Sequence, residues 1–322
     1  MCPAPVPVKD WPNRPEIADM TLAQALAGGR HNNFDLIRLI AAMGVVVSHA
    51  WPLAQGAGTA EPLEHLTGTA LGGLSVLIFF FISGLLISES ASRWRTHKTI
   101  FVMSRVLRIF PGLAVALGVT AVAAVAFGST AGGIEVARYW LKGMSLVSIE
   151  HQLSLAWQDN PYPLAVNGPL WTLFYEVLCY GIFAVIVWSR AIHRFAPSVL
   201  LLLATVGIVM RDLAPGALAY RLEVFTPLFF AFAIGHLAWA FQKLVPLFSM
   251  RTGLVACLVI GALVAAAGFG VLGRELAFAL SWPVLFWGLL VVAYTTPTVP
   301  LPGGVSYGGY ISGWPVWQVC MA

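Results

Sequence analysis

Long apolar segments recur along almost the whole chain, and they restrict its fold more than any other feature. Segments 66–88 and 252–273 contain no charged residue, and neither does the stretch from Leu276 to Ala322. A helix needs about 20 apolar residues to cross a bilayer, and lipid-exposed backbone must satisfy its hydrogen bonds within its own segment. The sequence therefore predicts an all-α protein, a polytopic transmembrane helical bundle of about nine or ten spans. The candidate spans are 34–53, 67–88, 108–128, 168–189, 196–211, 223–242, 252–272, 276–295 and 305–322.

Charged residues are scarce and unevenly placed. They make up 10% of the chain, against about 25% in soluble domains. Most Lys and Arg residues fall on the cytoplasmic side if the N-terminus is cytoplasmic, which the positive-inside rule favours. Residues 1–30 are Pro-rich without the apolar core of a signal peptide, so we predict a disordered cytoplasmic tail. The predicted partner is the lipid bilayer. No Lys/Arg block is dense enough for nucleic acid, and the four cysteines lack metal-ligand spacing.

The first predicted span carries three polar side chains, Asp35, Arg38 and His49. Placing a charged side chain near the bilayer centre costs roughly 2.5–3.5 kcal/mol of free energy, so these residues are expected to serve a structural or functional purpose. Eleven positions separate Arg38 from His49, which is about 20° from three full helical turns, so the two project from one face. Asp35 lies three residues before Arg38, on a neighbouring part of that face. Two plain alternatives remain open: an interfacial Asp35–Arg38 pair with a snorkelling arginine, and a buried, hydrogen-bonded His49. The shared face favours a functional site.

Glu176 is the one charged residue between 160 and 189. If its helix enters from outside near residue 168, Glu176 and His49 lie at similar depth and are expected to meet in one cavity. A carboxylate beside an imidazole orients the ring and raises its basicity. The alternative is a structural hydrogen bond, for instance with Thr172 one turn earlier.

Two cytoplasmic features suit the binding of a phosphate-bearing ligand. Ser83 and Gly84 lie near the inner end of the second span, where glycine permits close approach of a backbone or a ligand. In the basic segment that follows, Arg105 and Arg108 lie on one side of a helix start, and guanidinium groups bind phosphates. The alternative is that these basic residues only set the topology.

Five motifs then resemble one family, the acyltransferase 3 family of integral membrane enzymes, which often O-acetylate bacterial surface glycans. They are "FDLIRLIAAMGVVVSHA", "IFFFISGLLIS", "SRVLRIFPGL", "NGPLWTLFYEVLCY" and "VSYGGYISGWPVWQ", and they occur in the family's order and spacing. The resemblance extends over residues 31–322. Because relatives continue beyond the last helix, it implies a membrane acyltransferase domain at 31–322 that ends early.

The resemblance also implies roles for individual residues. The family's Arg-x10-His pattern corresponds to Arg38 and His49, and the histidine would act as the catalytic base or carry the acyl group. The implied catalytic residues are His49 and Glu176. The implied donor-binding residues are Arg38, Arg105, Arg108, Asp35 and Ser83. An acceptor-side or structural role is implied for Trp171 of the Trp-x4-Glu motif and for Tyr307 of the Ser-Tyr-Gly motif.

The implied function is transfer of an acyl group, most often acetyl, from cytoplasmic acyl-CoA to a hydroxyl of a carbohydrate or glycolipid. The implied location is the bacterial inner (plasma) membrane. Acyl-CoA would be a substrate, with no cofactor bound permanently. The alternative is a proton-coupled small-molecule transporter, since such proteins also carry ionisable groups within helices. The basic segment 93–108 favours acyl transfer, because a CoA donor needs it and a proton relay does not.

Overall fold

Helices form where the apolar segments predict them. The computed structural model describes residues 20–29, 31–67, 69–147, 149–150, 152–163, 165–247, 255–256, 258–263, 270, 274–302 and 304–322. It is 74% helical and almost without sheet, which confirms the all-α prediction. The elements are β1 (Met20–Thr21), α1 (Leu22–Ala27), α2 (Phe34–Gln55), α3 (Pro62–Thr67), α4 (Leu71–Arg93), α5 (Lys98–Ala126), α6 (Gly133–Ser145), α7 (Trp171–Trp188), α8 (Ala196–Leu213), α9 (Gly216–Ala240), β2 (Pro246–Leu247), α10 (Arg274–Thr295) and α11 (Val305–Met321).

Six helices in the described ranges are long and apolar enough to cross a membrane. They are α2, α4, α5, α7, α9 and α8 together with the 3-10 turn before it. The predicted spans 276–295 and 305–322 correspond to α10 and to the 17-residue α11. Most of the predicted span 252–272 lies outside the described residues, and its parts at 255–256 and 258–263 are helical.

Helix α5 begins earlier than predicted. Its span was expected at 108–128, whereas the helix starts at Lys98. Its first turns carry apolar residues such as Phe101, which is 2% exposed, so packing continues the helix beyond the apolar span. Arg105 and Arg108 therefore lie two to three turns inside the helix rather than at its start.

Helices α4 and α9 pack against each other at two glycines. A methyl group on Gly84 would collide with the backbone carbonyl oxygen of Phe232, and one on Gly235 with that of Phe81. Small residues let helix backbones approach closely within membranes. The group that approaches Gly84 closely, as predicted, is therefore the backbone of α9.

Replacing Gly84 or Gly235 with alanine is expected to destabilise the protein by about 3 kcal/mol, the upper end of ordinary overpacking costs. The added methyl group meets a carbonyl oxygen that cannot move without bending the partner helix. Thermal unfolding of the detergent-solubilised protein measures this. Gly118→Ala in α5 is the control, because nothing lies within 4 Å of its Cβ position. Equal unfolding midpoints for the Gly84→Ala and Gly118→Ala proteins would contradict this account.

The N-terminal tail is not disordered throughout, contrary to the prediction for residues 1–30. Met20 and Thr21 pair antiparallel with Leu247 and Pro246. Leu22, at the start of α1, is fully buried, and its backbone N–H donates to the carbonyl oxygen of Val245 (2.9 Å). An apolar residue next to the Thr21 capping box explains this order. Residues 1–19 and 30 lie outside the described residues.

The long segment between α5 and α7 contains a short amphipathic helix, α6. Its Tyr139 is fully buried, whereas the Arg138 side chain is 59% exposed. In the last turn of α6, Lys142 donates a 2.7 Å hydrogen bond to Glu150, which follows the helix. This bond holds the pKa of the Glu150 carboxyl below its usual value. The sequence predicted no span between 128 and 168, and the helix found there positions the chain that leads into α7.

Candidate active site

A small pocket surrounds Arg38 near the start of α2, and we call it the Arg38 pocket. Its volume is about 60 Å³. Its polar lining comes from five helices: Arg38 of α2, Ser83 of α4, Arg108 of α5, Glu176 of α7 and Tyr307 of α11. Four of the predicted donor-binding or catalytic residues therefore converge on one point, although they are far apart in the sequence.

Glu176 is held at this pocket by hydrogen bonds. The Tyr180 hydroxyl, one turn along α7, donates to Oε1 of Glu176, and Oγ of Ser83 lies 3.4 Å from the same oxygen. Ser83 therefore positions the carboxylate from the facing helix α4.

The pocket concentrates positive charge around this acid. Arg38 is only 6% exposed, and its Nη1 lies 3.9 Å from Oδ1 of Asp35. The charges of Arg38 and Arg108 repel each other, and Glu176 attracts both. The Asp35 side chain is 71% exposed, so Glu176 is the better shielded of the two acids that balance Arg38. An anionic ligand is the natural partner of such a site.

Arg105 extends the basic surface one turn before Arg108. Its Nη2 donates to Oγ of Ser90 (2.9 Å), and its guanidinium lies over the Phe101 ring, 5.4 Å from the centroid. It is not part of the lining of the Arg38 pocket, so the structure places it beside the pocket.

A larger cavity, of about 760 Å³, surrounds His49, and we call it the His49 cavity. Its lining is mostly apolar and includes Trp171 and Phe230. Nδ1 of His49 is buried and has no hydrogen-bond partner among the described residues. The imidazole packs edge-to-face against Trp314, with ring centroids 5.0 Å apart. A buried ring nitrogen without a protein partner is available to a ligand.

The structure does not bring Glu176 to His49, so the expectation of one shared cavity is wrong. Glu176 lines the Arg38 pocket and His49 the other cavity. The depth was misjudged because α7 begins inside the bundle. The preceding residues are themselves buried, with Val166 and Leu170 fully so and Asn167 1% exposed. The imidazole packs against Trp314, and the carboxylates that line this cavity include Glu61 and Glu64 but not Glu176.

Three side chains separate the two sites: Val76, Thr172 and Tyr310 line both. Oγ1 of Thr172 lies 2.7 Å from the Tyr310 hydroxyl and donates to the carbonyl oxygen of Pro169 (3.0 Å). We call these three residues the partition. The basic Arg38 pocket and the imidazole-containing His49 cavity are thus separated by a single layer of side chains.

A family model described as an acyltransferase domain matches residues 31–300. The chain belongs to the acyltransferase 3 family. This membership decides between the two predicted functions in favour of acyl transfer. The chain is 29% identical over 302 residues to an O-acetyl transferase of Shigella phage Sf6, covering 90% of this chain and 86% of that protein. It is 31% identical over 180 residues to Nodulation protein 10 of Rhizobium leguminosarum bv. viciae, covering 51% and 47%. No solved structure shows a significant match.

Two further predicted residues of this acyltransferase have clear positions. Trp171, at the first turn of α7, lines the His49 cavity. Tyr307 donates to the carbonyl oxygen of Ile109 (3.0 Å) and lies against Gly112, where a Cβ atom would collide with its ring. Tyr307 thereby joins α11 to α5 beside the Arg38 pocket.

Several residues that support the acyltransferase site were not predicted. Gln318 in α11 is fully buried and accepts a hydrogen bond from Asn160 (2.8 Å) while donating to the carbonyl oxygen of Tyr162 (2.8 Å). Trp314 donates to the carbonyl oxygen of Ala165 (2.9 Å). These bonds fix the chain before α7 to α11 and so fix the ring against which His49 packs. Gln318 is the one amide side chain in the uncharged segment 305–322, and that polarity is a signal that sequence reasoning could have used.

Asn33 is a second unpredicted support, at the other end of α2. It is 2% exposed, and its Nδ2 donates to Oγ1 of Thr296 (2.6 Å) and to the carbonyl oxygen of Pro297 (2.9 Å). Its Oδ1 accepts from the backbone N–H of Val299 (2.8 Å). The start of α2 is thereby fixed to the connection between α10 and α11, which sets Arg38 relative to Tyr307.

Proposed function

We propose that this protein is an O-acetyltransferase of the inner (plasma) membrane, which transfers an acetyl group from cytoplasmic acetyl-CoA to a hydroxyl of a carbohydrate or glycolipid. The observation that carries the proposal is the meeting of a basic pocket and an imidazole-containing cavity at the partition. The printed name of the phage relative supports O-acetyl transfer.

The donor binds from the Arg38 side. Arg38 and Arg108 line the pocket, and Arg105 lies beside it, so guanidinium groups are available to the anionic phosphates of CoA. The rise of α2 from Arg38 to His49 is roughly 16 Å, a distance that an extended pantetheine arm can cover. With the N-terminus in the cytoplasm, this side faces the pool of acyl-CoA.

The acceptor binds in the His49 cavity, which has ample volume for a sugar residue. Aromatic side chains such as Trp171 offer flat apolar faces, and Thr59 and Thr69 line the same cavity with hydroxyl groups. The mostly apolar lining can pack against both faces of a sugar ring, or against the lipid part of a glycolipid.

His49 acts as the general base. It removes the proton of the acceptor hydroxyl as the oxygen attacks the thioester carbonyl carbon, and it returns a proton to the departing CoA thiolate. Positioned proton transfer of this kind contributes about 10²–10⁴-fold to a rate.

Sealed membrane vesicles that contain the protein test the proposal. With radiolabelled acetyl-CoA outside, inside-out vesicles should form alkali-labile label on the carbohydrate or glycolipid fraction. Right-side-out vesicles should form little, because the CoA phosphates cannot cross the bilayer. Vesicles from cells without the protein are the control. Absence of labelled ester in inside-out vesicles would contradict the function, and equal labelling from both orientations would contradict the donor side.

A further inference from the structure

Tyr310 occupies the boundary between the proposed donor and acceptor sites. It lies on α11 one turn before Trp314, about 6 Å along the helix axis, and Trp314 contacts His49. A thioester that approaches from the Arg38 pocket meets the acceptor next to this side chain. We propose that Tyr310 is a catalytic residue whose hydroxyl donates a hydrogen bond to the acyl carbonyl oxygen during transfer. This inference rests on the proposed function.

The hydrogen bonds around Tyr310 leave its proton available. Oγ1 of Thr172 is 3.0 Å from the carbonyl oxygen of Pro169, whereas the Tyr310 hydroxyl is 3.3 Å from it. The shorter distance favours Thr172 as the donor to Pro169. Tyr310 then donates to Thr172 across 2.7 Å. A rotation about the bond between the ring and the hydroxyl oxygen redirects this proton to a substrate without moving the ring.

The ring itself is held in place. Tyr310 is 6% exposed and packs edge-to-face against Phe79, with ring centroids 5.4 Å apart. Donors that stabilise a developing oxyanion act best when they are fixed before the reaction in a site that excludes water. The ring contacts fix Tyr310 before the reaction, and its 6% exposure shields the side chain itself from solvent.

No other described side chain fits this role as well. Only Val76, Thr172 and Tyr310 line both sites within the described residues. Val76 has no donor, and the Thr172 hydroxyl is committed to Pro169. Arg38 and Arg108 line the Arg38 pocket but not the His49 cavity.

The reaction then proceeds with each group in a defined role. The acceptor oxygen forms a bond to the thioester carbonyl carbon, and the carbonyl electron pair moves to the oxygen that Tyr310 contacts. His49 receives the acceptor proton. As the intermediate collapses, the carbon–sulfur bond breaks and the CoA thiolate takes that proton from His49. Tyr310 keeps its own proton throughout.

Two matched variants separate catalysis from the general loss of a buried phenol hydroxyl. Tyr310→Phe removes the proposed donor, whereas Tyr139→Phe removes the hydroxyl of a fully buried tyrosine that lines neither site. We expect Tyr310→Phe to lower kcat for acetyl transfer in inside-out vesicles by about 10²–10³-fold, with KM for acetyl-CoA little changed. Tyr139→Phe should retain the wild-type kcat per folded molecule, even if it lowers thermal stability.

Equal kcat values for the two variants, or a Tyr310→Phe variant that loses acetyl-CoA affinity instead of kcat, would overturn the assignment. Should Tyr310→Phe fail to fold, fluorinated tyrosines at position 310 preserve the shape and change only the acidity of the phenol. The rate should then vary with that acidity, and a constant rate would overturn the role. Wild-type vesicles without transfer would refute the proposed function and this inference together. Active wild-type vesicles with an equally active Tyr310→Phe variant would refute this inference alone.

Discussion

Replacing His49 with alanine is expected to reduce acetyl transfer by about 10²–10⁴-fold, the usual contribution of a positioned general base. His49 is the histidine that lines the large cavity, and its Nδ1 has no partner among the described residues. Because His49 lies away from the Arg38 pocket, donor binding should survive the change. The effect on transfer is measured as the labelled ester formed in inside-out vesicles per amount of folded protein. Donor binding is measured as the affinity of the purified variant for acetyl-CoA.

His236 provides the matched control. It is another intramembrane histidine, 2% exposed, and its Nδ1 lies 2.8 Å from Oγ of Ser88. Its Nε2, like Nδ1 of His49, is buried without a partner among the described residues, but His236 lines neither the Arg38 pocket nor the His49 cavity, and its ring stacks on Trp239. His236→Gln should therefore lower the amount of folded protein by a modest factor, because a buried hydrogen bond contributes about 0.5–1.5 kcal/mol. Turnover per folded molecule should stay near wild type. If His49→Ala behaved in the same way as His236→Gln, the general-base assignment would fail.

Local patterns predicted the parts of the site that lie within one helix. The helical repeat placed Arg38 and His49 on one face, and α2 begins at the predicted residue, Phe34. That prediction needed only the geometry of a regular helix. The predicted proximity of Ser83 and Arg108 to Arg38 needed the family resemblance as well, because residues on different helices have no fixed relation in the sequence.

The missed features depend on packing between distant segments. The pocket that Glu176 lines could not be predicted by counting residues from the helix end, because the chain before α7 is already buried within the bundle. Tyr310 is one aromatic residue among many in an apolar helix, and only the two cavities on either side of it give it a special position. Likewise, the order at Leu22 comes from a pairing with residues more than 200 positions away, which no local propensity encodes.

Loss of both stability and transfer is expected on replacing Glu176 with glutamine. Glu176→Gln preserves the side-chain shape, and its amide oxygen can still accept hydrogen bonds from Tyr180 and Ser83. The substitution removes the negative charge that balances Arg38 and Arg108. Glu176 forms no direct ion pair with either arginine among the described residues, so its charge acts through a longer-range attraction, and we expect a loss of about 0.5–3 kcal/mol, the ordinary range for a single substitution. The thermal unfolding midpoint of the solubilised protein should fall accordingly, and transfer should fall with it.

A second substitution separates the charge balance from the chemistry. Arg38 is the less exposed of the two arginines, at 6% exposure, and the double variant Arg38→Gln with Glu176→Gln removes one charge of each sign together. Its unfolding midpoint should be higher than that of Glu176→Gln alone, which double-mutant cycles report as a favourable coupling. Acetyl transfer should stay low in the double variant, because the guanidinium proposed to bind the donor is absent. If the double variant were no more stable than Glu176→Gln, then Glu176 would not act by compensating Arg38, and its effect on transfer would have to come from direct contact with the donor.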